Sequence, residues 1–193
     1  MNAAARLRVA TAGDAAAIRA IYAPHVEHTA VSFETEAPGV EAMAARIERL
    51  LPTYPWLVAL VDERVAGYAY ASPHRERAAY RWSVETTAYV HADFYARGIG
   101  KRLYAALHAV LKAQKYVNAF GIITLPNAAS VALHEACGFR RCATFLHAGY
   151  KSGAWHNVGW WQLQIAPPAP VPAEPVAFAK LDRATLARAL GAN

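Results

Sequence analysis

The run VHADFYARGIGKRLYAAL, from Val90 to Leu107, constrains this chain more than any other stretch. An apolar, aromatic run breaks into a loop carrying Gly98 and Gly100. That loop opens directly into an amphipathic pattern with Leu103, Leu107, Val110 and Leu111 on one face. Glycines at such a place let the main chain approach a ligand without side-chain interference. A helix entering just after them aims unpaired N–H groups and the positive end of its dipole into the same space. The reading is a strand, a loop able to seat a phosphate, and a helix from about Gly98 to Lys115. Taken alone, Gly-x-Gly is as consistent with a helix entry that needs small residues.

The flanks give this core its setting. Leu7 to Ala10 reads as a short strand, and Thr11 and Asp14 are suitable N-caps for a helix running to about Glu27. Val40, Met43, Ile47, Leu50 and Leu51 recur at helical spacing over residues 40 to 51. The period then changes to two: Trp56 to Val61 and Val65 to Ser72 flank Asp62-Glu63-Arg64 as a hairpin, and Trp82 to His91 is a further strand. After the central helix, Val117 to Leu125 is strand-like. Pro126-Asn127 starts a helix that ends at Gly138, and Phe139 to Leu146 and Trp155 to Ile165 are two strands around the turn Lys151-Ser152-Gly153. This predicts one mixed α/β domain over residues 1–166. Beyond it, APPAPVPAEP cannot join a sheet and is expected to be extended, and residues 180 to 190 form a short docking or frayed helix within a tail of residues 167–193.

With 193 residues, 55% of them apolar, the chain can bury a sizeable core, which excludes disorder for most of it. A net charge of +6 favours an acidic partner, either nucleic acid or a small polyanion; because Lys and Arg are scattered, the polyanion is preferred. No apolar run reaches the roughly 20 residues of a membrane span, and MNAAARLRVATAGD has no secretory core, so a cytoplasmic protein is expected. Cys137 and Cys142 are too few for a disulfide framework and lack metal-ligand spacing; both read as reduced packing residues, and no metal is expected.

Several longer motifs go further: FETE at 33–36, YPWLVA at 54–59, AYRW at 79–82 followed by Glu85, LPN at 125–127, HEACGF at 134–139, and GYKSGAWHNVGWWQL at 149–163. With the proline-rich tail, they resemble the phosphinothricin N-acetyltransferase family of the GNAT superfamily over nearly the whole chain. The resemblance implies a GNAT acyl-CoA N-acyltransferase fold, with a central, mostly antiparallel twisted sheet flanked by helices. It implies transfer of an acetyl group from acetyl-CoA to the amine of a small amino acid, phosphinothricin or the methionine derivatives sulfoximine and sulfone, by a protein that is commonly a homodimer. In one respect the chain departs from the superfamily, whose glycine loop usually begins with Gln or Arg; here that position is Tyr95. Binding through main-chain N–H groups does not need that side chain. The pyrophosphate cradle is therefore expected to be Ala96, Arg97, Gly98, Ile99, Gly100 and Lys101, with Arg97 and Lys101 adding charge. Ala88, Tyr89 and Val90 form the expected thioester-binding edge, and Asn127 is a further cofactor contact.

Amine acetylation needs a base, because a free α-amino group has a reference pKa of about 8. Glu85, an acid in the strand RWSVETTAYV, is the candidate and matches the family's catalytic glutamate in position; otherwise it would lie on a solvated strand face. His134, seven residues after Asn127 and on the same helical face, either relays protons or packs in the core. A main-chain N–H near Tyr89 and Val90 would stabilise the developing oxyanion. For the acceptor, Arg75, Arg77 and Tyr80 in PHRERAAYRW suit a substrate with carboxylate and phosphinate or sulfone oxygens, unless that loop is simply solvated. Phe33 resembles the family's pocket wall, and Arg75 stands where the family usually has lysine. Trp155, His156, Trp160 and Trp161 are read as core or dimer-interface packing. Two other readings compete: a catalytically silent acyl-CoA-binding module, and a nucleic-acid binder suggested by charge alone.

Overall fold

A computed structural model describes residues 5–191, so the first four residues of the stretch read for a secretory signal lie outside the described part. Strand β1 (Arg6–Val9) leads through a 3₁₀ turn into helix α1 (Ala15–His28), followed by α2 (Val40–Leu50), β2 (Trp56–Val61), β3 (Arg64–Pro73) and β4 (Ser83–Val90). Helix α3 (Ile99–Ala113), β5 (Asn118–Leu125), α4 (Ala128–Ala136), β6 (Arg140–Lys151), β7 (Ala154–Gln164) and α5 (Arg183–Leu190) complete the chain. The strands form one sheet in the order β1-β2-β3-β4-β5-β7-β6. Every neighbouring pair is antiparallel except β4 and β5, which run parallel.

Alternation along the strands sorts two cores. On one face Trp56, Val58 and Tyr68 pack against Ile18, Ile21 and Val26 of α1 and Met43 and Ile47 of α2. On the other, Leu57, Ala69, Ala71 and Val84 meet α3. Leu103, Tyr104, Leu107 and Leu111 of that helix are fully buried, each fully buried apolar side chain stabilising by roughly 1.5–3 kcal/mol. The small residues Ala69, Ala71 and Gly67 of β3 let α3 lie close on the sheet; a Cβ on Gly67 would come within 3.3 Å of Leu103.

Strand β6 continues past Leu146 to Lys151. Its register with β7 is irregular between Phe145 and Gly149, where His147 takes φ +48° and its N–H donates to the Asn157 side chain at 2.9 Å. A period-two reading stops at that irregularity, although the strand resumes after it. Cys142, expected to pack, is instead exposed on β6, because this edge strand has no helix laid over it; Cys137 is half-buried at the end of α4, and both thiols are free. The extended segment after β7 runs back over the body of the protein. Gln114, fully buried at the end of α3, donates from Nε2 to the carbonyls of Thr53 and Val176, and Phe178 is buried with its N–H on the Thr53 carbonyl.

Candidate active site

The site exists because β4 and β5 pair over only Ser83–Glu85 and Asn118–Phe120. Beyond that point Thr86–Val90 and Gly121–Leu125 are no longer partners, and a cleft opens between them. The Trp82 carbonyl accepts N–H groups from Val117 and Asn118 on the β5 side, whereas the His91 N–H donates to Ala66 on the β3 side. Even-numbered residues of β4 thus aim their main chain at β5 and odd-numbered ones at β3. The Thr86 N–H meets the Phe120 carbonyl in the last pairing, so the amides left facing the cleft belong to Ala88 and Val90. Tyr89, paired with Tyr68, turns its amide to β3, so of the two residues expected at the oxyanion it is Val90 that has the orientation.

A cavity of about 680 Å³ fills the cleft. Ala88, Tyr89, Val90, Ala96, Gly98, Ile99, Gly100, Lys101 and Asn127 all wall it. Gly98 is the N-cap of α3 with φ +74°, and no side chain accepts from the first turn of the helix. An L residue is strained at that angle, and the uncapped donors of the first turn are free for an anion. Such an arrangement could hold a diphosphate through its main chain, and Lys101 stands on the same wall as an available added charge. Tyr95, at the place of the usual Gln or Arg, also lines the cavity and is 55% exposed. Arg97 does not join the cavity wall; its guanidinium lies 5.2 Å from the centre of the Phe94 ring, outside the cradle. Asn127 caps α4, its side-chain oxygen accepting the Ser130 N–H at 3.0 Å.

His134, on α4, is buried at the inner end of the cavity. Gly121 of β5 makes room for it, since a Cβ there would collide with the imidazole. Its Nδ1 lies 2.7 Å from the Ser130 carbonyl, and a carbonyl only accepts, so Nδ1 carries the proton. Nε2 is then the acceptor for the Tyr104 hydroxyl at 2.9 Å. Burial lowers the histidine's pKa, and the bond to the Ser130 carbonyl partly offsets this, leaving a neutral ring tied to a cavity-wall phenol.

Glu85 stands at the apex of the cleft, its side chain 29% exposed on the opposite face of the sheet from His134. Burial raises its pKa, while the bond from His74 and the charges of His74 and Arg75 pull it back down. His74 Nδ1 is 3.2 Å from Glu85 Oε1. The loop after β3, where the acceptor contacts were expected, follows directly. Arg75 lies over the Trp160 ring at 5.5 Å, and with Phe33 and Trp160 it lines a second hollow that shares Val31, Ile122 and Thr124 with the main cavity. Tyr80 stands edge-on to His74 and is 44% exposed. Arg77 caps the short turn that carries Tyr80 and is exposed.

The FETE motif owes its place to a network: Glu34 accepts both guanidinium nitrogens of Arg46 at 2.6 and 2.9 Å and the Tyr22 hydroxyl at 2.9 Å. Buried Lys151 donates to the carbonyls of Val26 and Ser32, fixing the segment that bears Phe33. Among the final aromatics, Trp161 is buried, Trp160 and His156 are half-buried, and Trp155 is 61% exposed. Sequence reading missed His74, Tyr104 and Thr86. Tyr104 alone had a signal, being a polar-tipped residue on the apolar face of α3. Among the described residues no cluster of three or more His, Cys, Asp or Glu is placed to hold a metal ion, and no helix is long and apolar enough to cross a membrane.

Comparison with known proteins agrees with this geometry. Residues 7–160 match the acetyltransferase (GNAT) domain family. Phosphinothricin N-acetyltransferase of Streptomyces viridochromogenes is 44% identical over 171 residues, 88% of this chain and 93% of that protein. An L-methionine sulfoximine/L-methionine sulfone acetyltransferase of Salmonella typhimurium is 34% identical over 82% of this chain and 94% of its own. A GNAT superfamily phosphinothricin acetyltransferase from Sinorhizobium meliloti, solved in complex with AcCoA, superposes with a TM-score of 0.85 at 33% identity, covering 92% of this chain and 97% of the other. The split sheet, the uncapped glycine entry to α3 and these similarities together make the chain a member of the GNAT acetyltransferases, in the branch of the phosphinothricin N-acetyltransferases.

Proposed function

We propose that the protein transfers an acetyl group from acetyl-CoA to the free amine of a small amino acid such as phosphinothricin, with methionine sulfoximine and methionine sulfone as alternative acceptors. The observation that carries this reading is the slot between β4 and β5, with an uncapped helix start on one side and a half-buried carboxylate at its apex. The amides of the loop and first turn of α3, with Lys101, bind the diphosphate of acetyl-CoA, which supplies the acetyl group as a thioester. Phe33, Arg75, Arg77 and Tyr80 orient the acceptor, the guanidiniums meeting its carboxylate and phosphinate or sulfone oxygens.

Glu85 takes the first proton from the ammonium group, leaving the nitrogen its electron pair for attack on the acetyl carbon. Amides of Ala88 and Val90 stabilise the oxygen on which charge develops. The second proton leaves the nitrogen as the C–N bond forms. It passes by way of the Tyr104 hydroxyl to Nε2 of His134 and returns the same way to the sulfur as the C–S bond breaks. No covalent enzyme intermediate is needed once the two substrates are held in line.

Glu85→Gln keeps the shape and removes the base, so kcat should fall about 10²–10⁴-fold with the KM for acetyl-CoA unchanged, read by release of free thiol. In the wild type, kcat/KM should rise with pH through a midpoint above that of an ordinary glutamate, because burial favours the protonated acid and only the ionised form is a base. Wild-type turnover in the variant would remove Glu85 from the mechanism. Folded protein that binds acetyl-CoA but releases no thiol with any amino-acid amine would instead be the silent acyl-CoA module.

Two further features belong to this reading. Phe145, Leu146, Tyr150 and Trp155 are 51–70% exposed on the β6–β7 hairpin, and β6 is an unpaired sheet edge, which supports a homodimer; its mass in solution checks this. A transferase domain over residues 1–166, a proline-rich tail with a short helix over 167–193, cytoplasmic residence with acetyl-CoA, and resistance to phosphinothricin by N-acetylation complete it.

A further inference from the structure

We propose that His74 is a positioning residue for the transfer, its ring holding one oxygen of the Glu85 carboxylate so that the other is presented to the amine. The inference rests on Glu85 being the base. His74 follows directly on β3, whose Ser72 pairs with Glu85. Its ring stacks on Phe120, the β5 partner of Glu85, with centroids 4.4 Å apart and planes within 18°. Trp160 at 5.6 Å and Tyr80 at 5.7 Å meet it edge-on. The imidazole is thus pinned by aromatic rings from three other segments, and its side chain is only 8% exposed. An aromatic plug would need no nitrogen there, yet Nδ1 stands 3.2 Å from Glu85 Oε1.

An ionised carboxylate only accepts, so Nδ1 carries the hydrogen in this pair. The hold on Glu85 is this one Nδ1–H, and it does not involve Nε2. During turnover one proton moves from the ammonium nitrogen to Glu85 Oε2, while His74 keeps its own. The ring therefore orients the base and strengthens its ionised form without acting as a base itself. The other groups facing Glu85 are Arg75, on the same loop, and Tyr70 of β3; Phe120, across on β5, brings no charge. Arg75 stays charged and Tyr70, its pKa raised by burial, stays neutral across the working range. An acid limb in kcat/KM therefore reports the ionisation of Glu85 together with that of His134, which the relay needs neutral, and only the part belonging to Glu85 should move in variants of His74.

The test is a set of pH profiles on the full-length protein. His74→Phe keeps the aromatic stack and loses the donor: kcat should fall about 10–100-fold, the acid limb of kcat/KM should move to higher pH, and the KM for acetyl-CoA should hold. His74→Asn places an amide N–H near the position of Nδ1 and should keep the limb near its wild-type pH, even if the lost stack costs stability. An unmoved limb in His74→Phe, or an equal shift in both variants, would overturn the proposal. Glu85→Gln separates the two readings. If it abolishes turnover while His74→Phe leaves the limb in place, only the role of His74 fails; if it turns over normally, the base assignment fails and this inference with it.

Discussion

The two halves of the site are built from different material. On the side proposed for the coenzyme the main chain offers the contacts, through the free amides of β4 and the uncapped start of α3, around one cavity walled mostly by β4, α3, β5 and α4. On the side proposed for the acceptor the contacts would come from side chains in distant places: Phe33 between α1 and α2, Arg75, Arg77 and Tyr80 after β3, and Trp160 on β7. A site made of amides tolerates change in side chains and depends on backbone angles. One made of side chains can change its preference through single substitutions while its neighbour is undisturbed, which fits a family whose members share a coenzyme and differ in the amine they acetylate.

The sharpest challenge to this contrast is Tyr104→Phe, because Tyr104, with His134 behind it, is where a side chain on the coenzyme side is asked to move a proton. Its turnover should drop about 100-fold with both KM values little changed, and stopped-flow measurement of thiol release would show it. Gly98→Val should come next. Forcing a β-branched residue to φ +74° costs about 1–2 kcal/mol or displaces the loop, so the KM for acetyl-CoA should rise about tenfold while acceptor preference is retained. Arg75→Ala should do the reverse, raising the KM for a dianionic acceptor about tenfold or less and leaving that for acetyl-CoA alone. Smallest of all is Arg97→Ala. With its guanidinium over Phe94 and outside the cavity wall, its loss should alter acetyl-CoA affinity about twofold or less, and a larger effect would mean that Arg97 joins Lys101 in charging the cradle.

That contrast also explains what could be read from the chain. The strand, glycine loop and α3 are contiguous, and their pattern is local: period two, a glycine at a positive angle, then period 3.6. The amphipathic face of α3 was therefore legible to the residue, and of the loop residues expected to form a cradle, Ala96, Gly98, Ile99, Gly100 and Lys101 line the cavity while Arg97 does not. The early end of the β4–β5 pairing was not, since it depends on which strands become neighbours and where their registers part. Without that, nothing indicates that Glu85 and His134 approach the cleft from opposite faces of the sheet, or that Val90 and not Tyr89 offers its amide. His74 is hidden for another reason. A single histidine in a charged loop carries no periodicity, and only the stack on Phe120 and the bond to Glu85 give it meaning. The fate of the proline-rich stretch was legible as to extension and silent as to direction, because its anchors, Gln114 and Trp82, belong to other elements.

Those anchors reach the acceptor loop. The Trp82 indole donates to the Ala173 carbonyl at 2.8 Å, and Arg81, lying over that indole, pairs with Glu174 at 2.8 Å. The corner proposed to select the acceptor is therefore completed only once Glu174 has left the ribosome, well after the coenzyme groove has all its residues. Trimming the chain ahead of Ala173, or crowding that end with a bulky fusion, would then alter which amines are accepted before it altered how the acetyl donor is bound. Assays made with such shortened forms would describe a broader catalyst than the intact one.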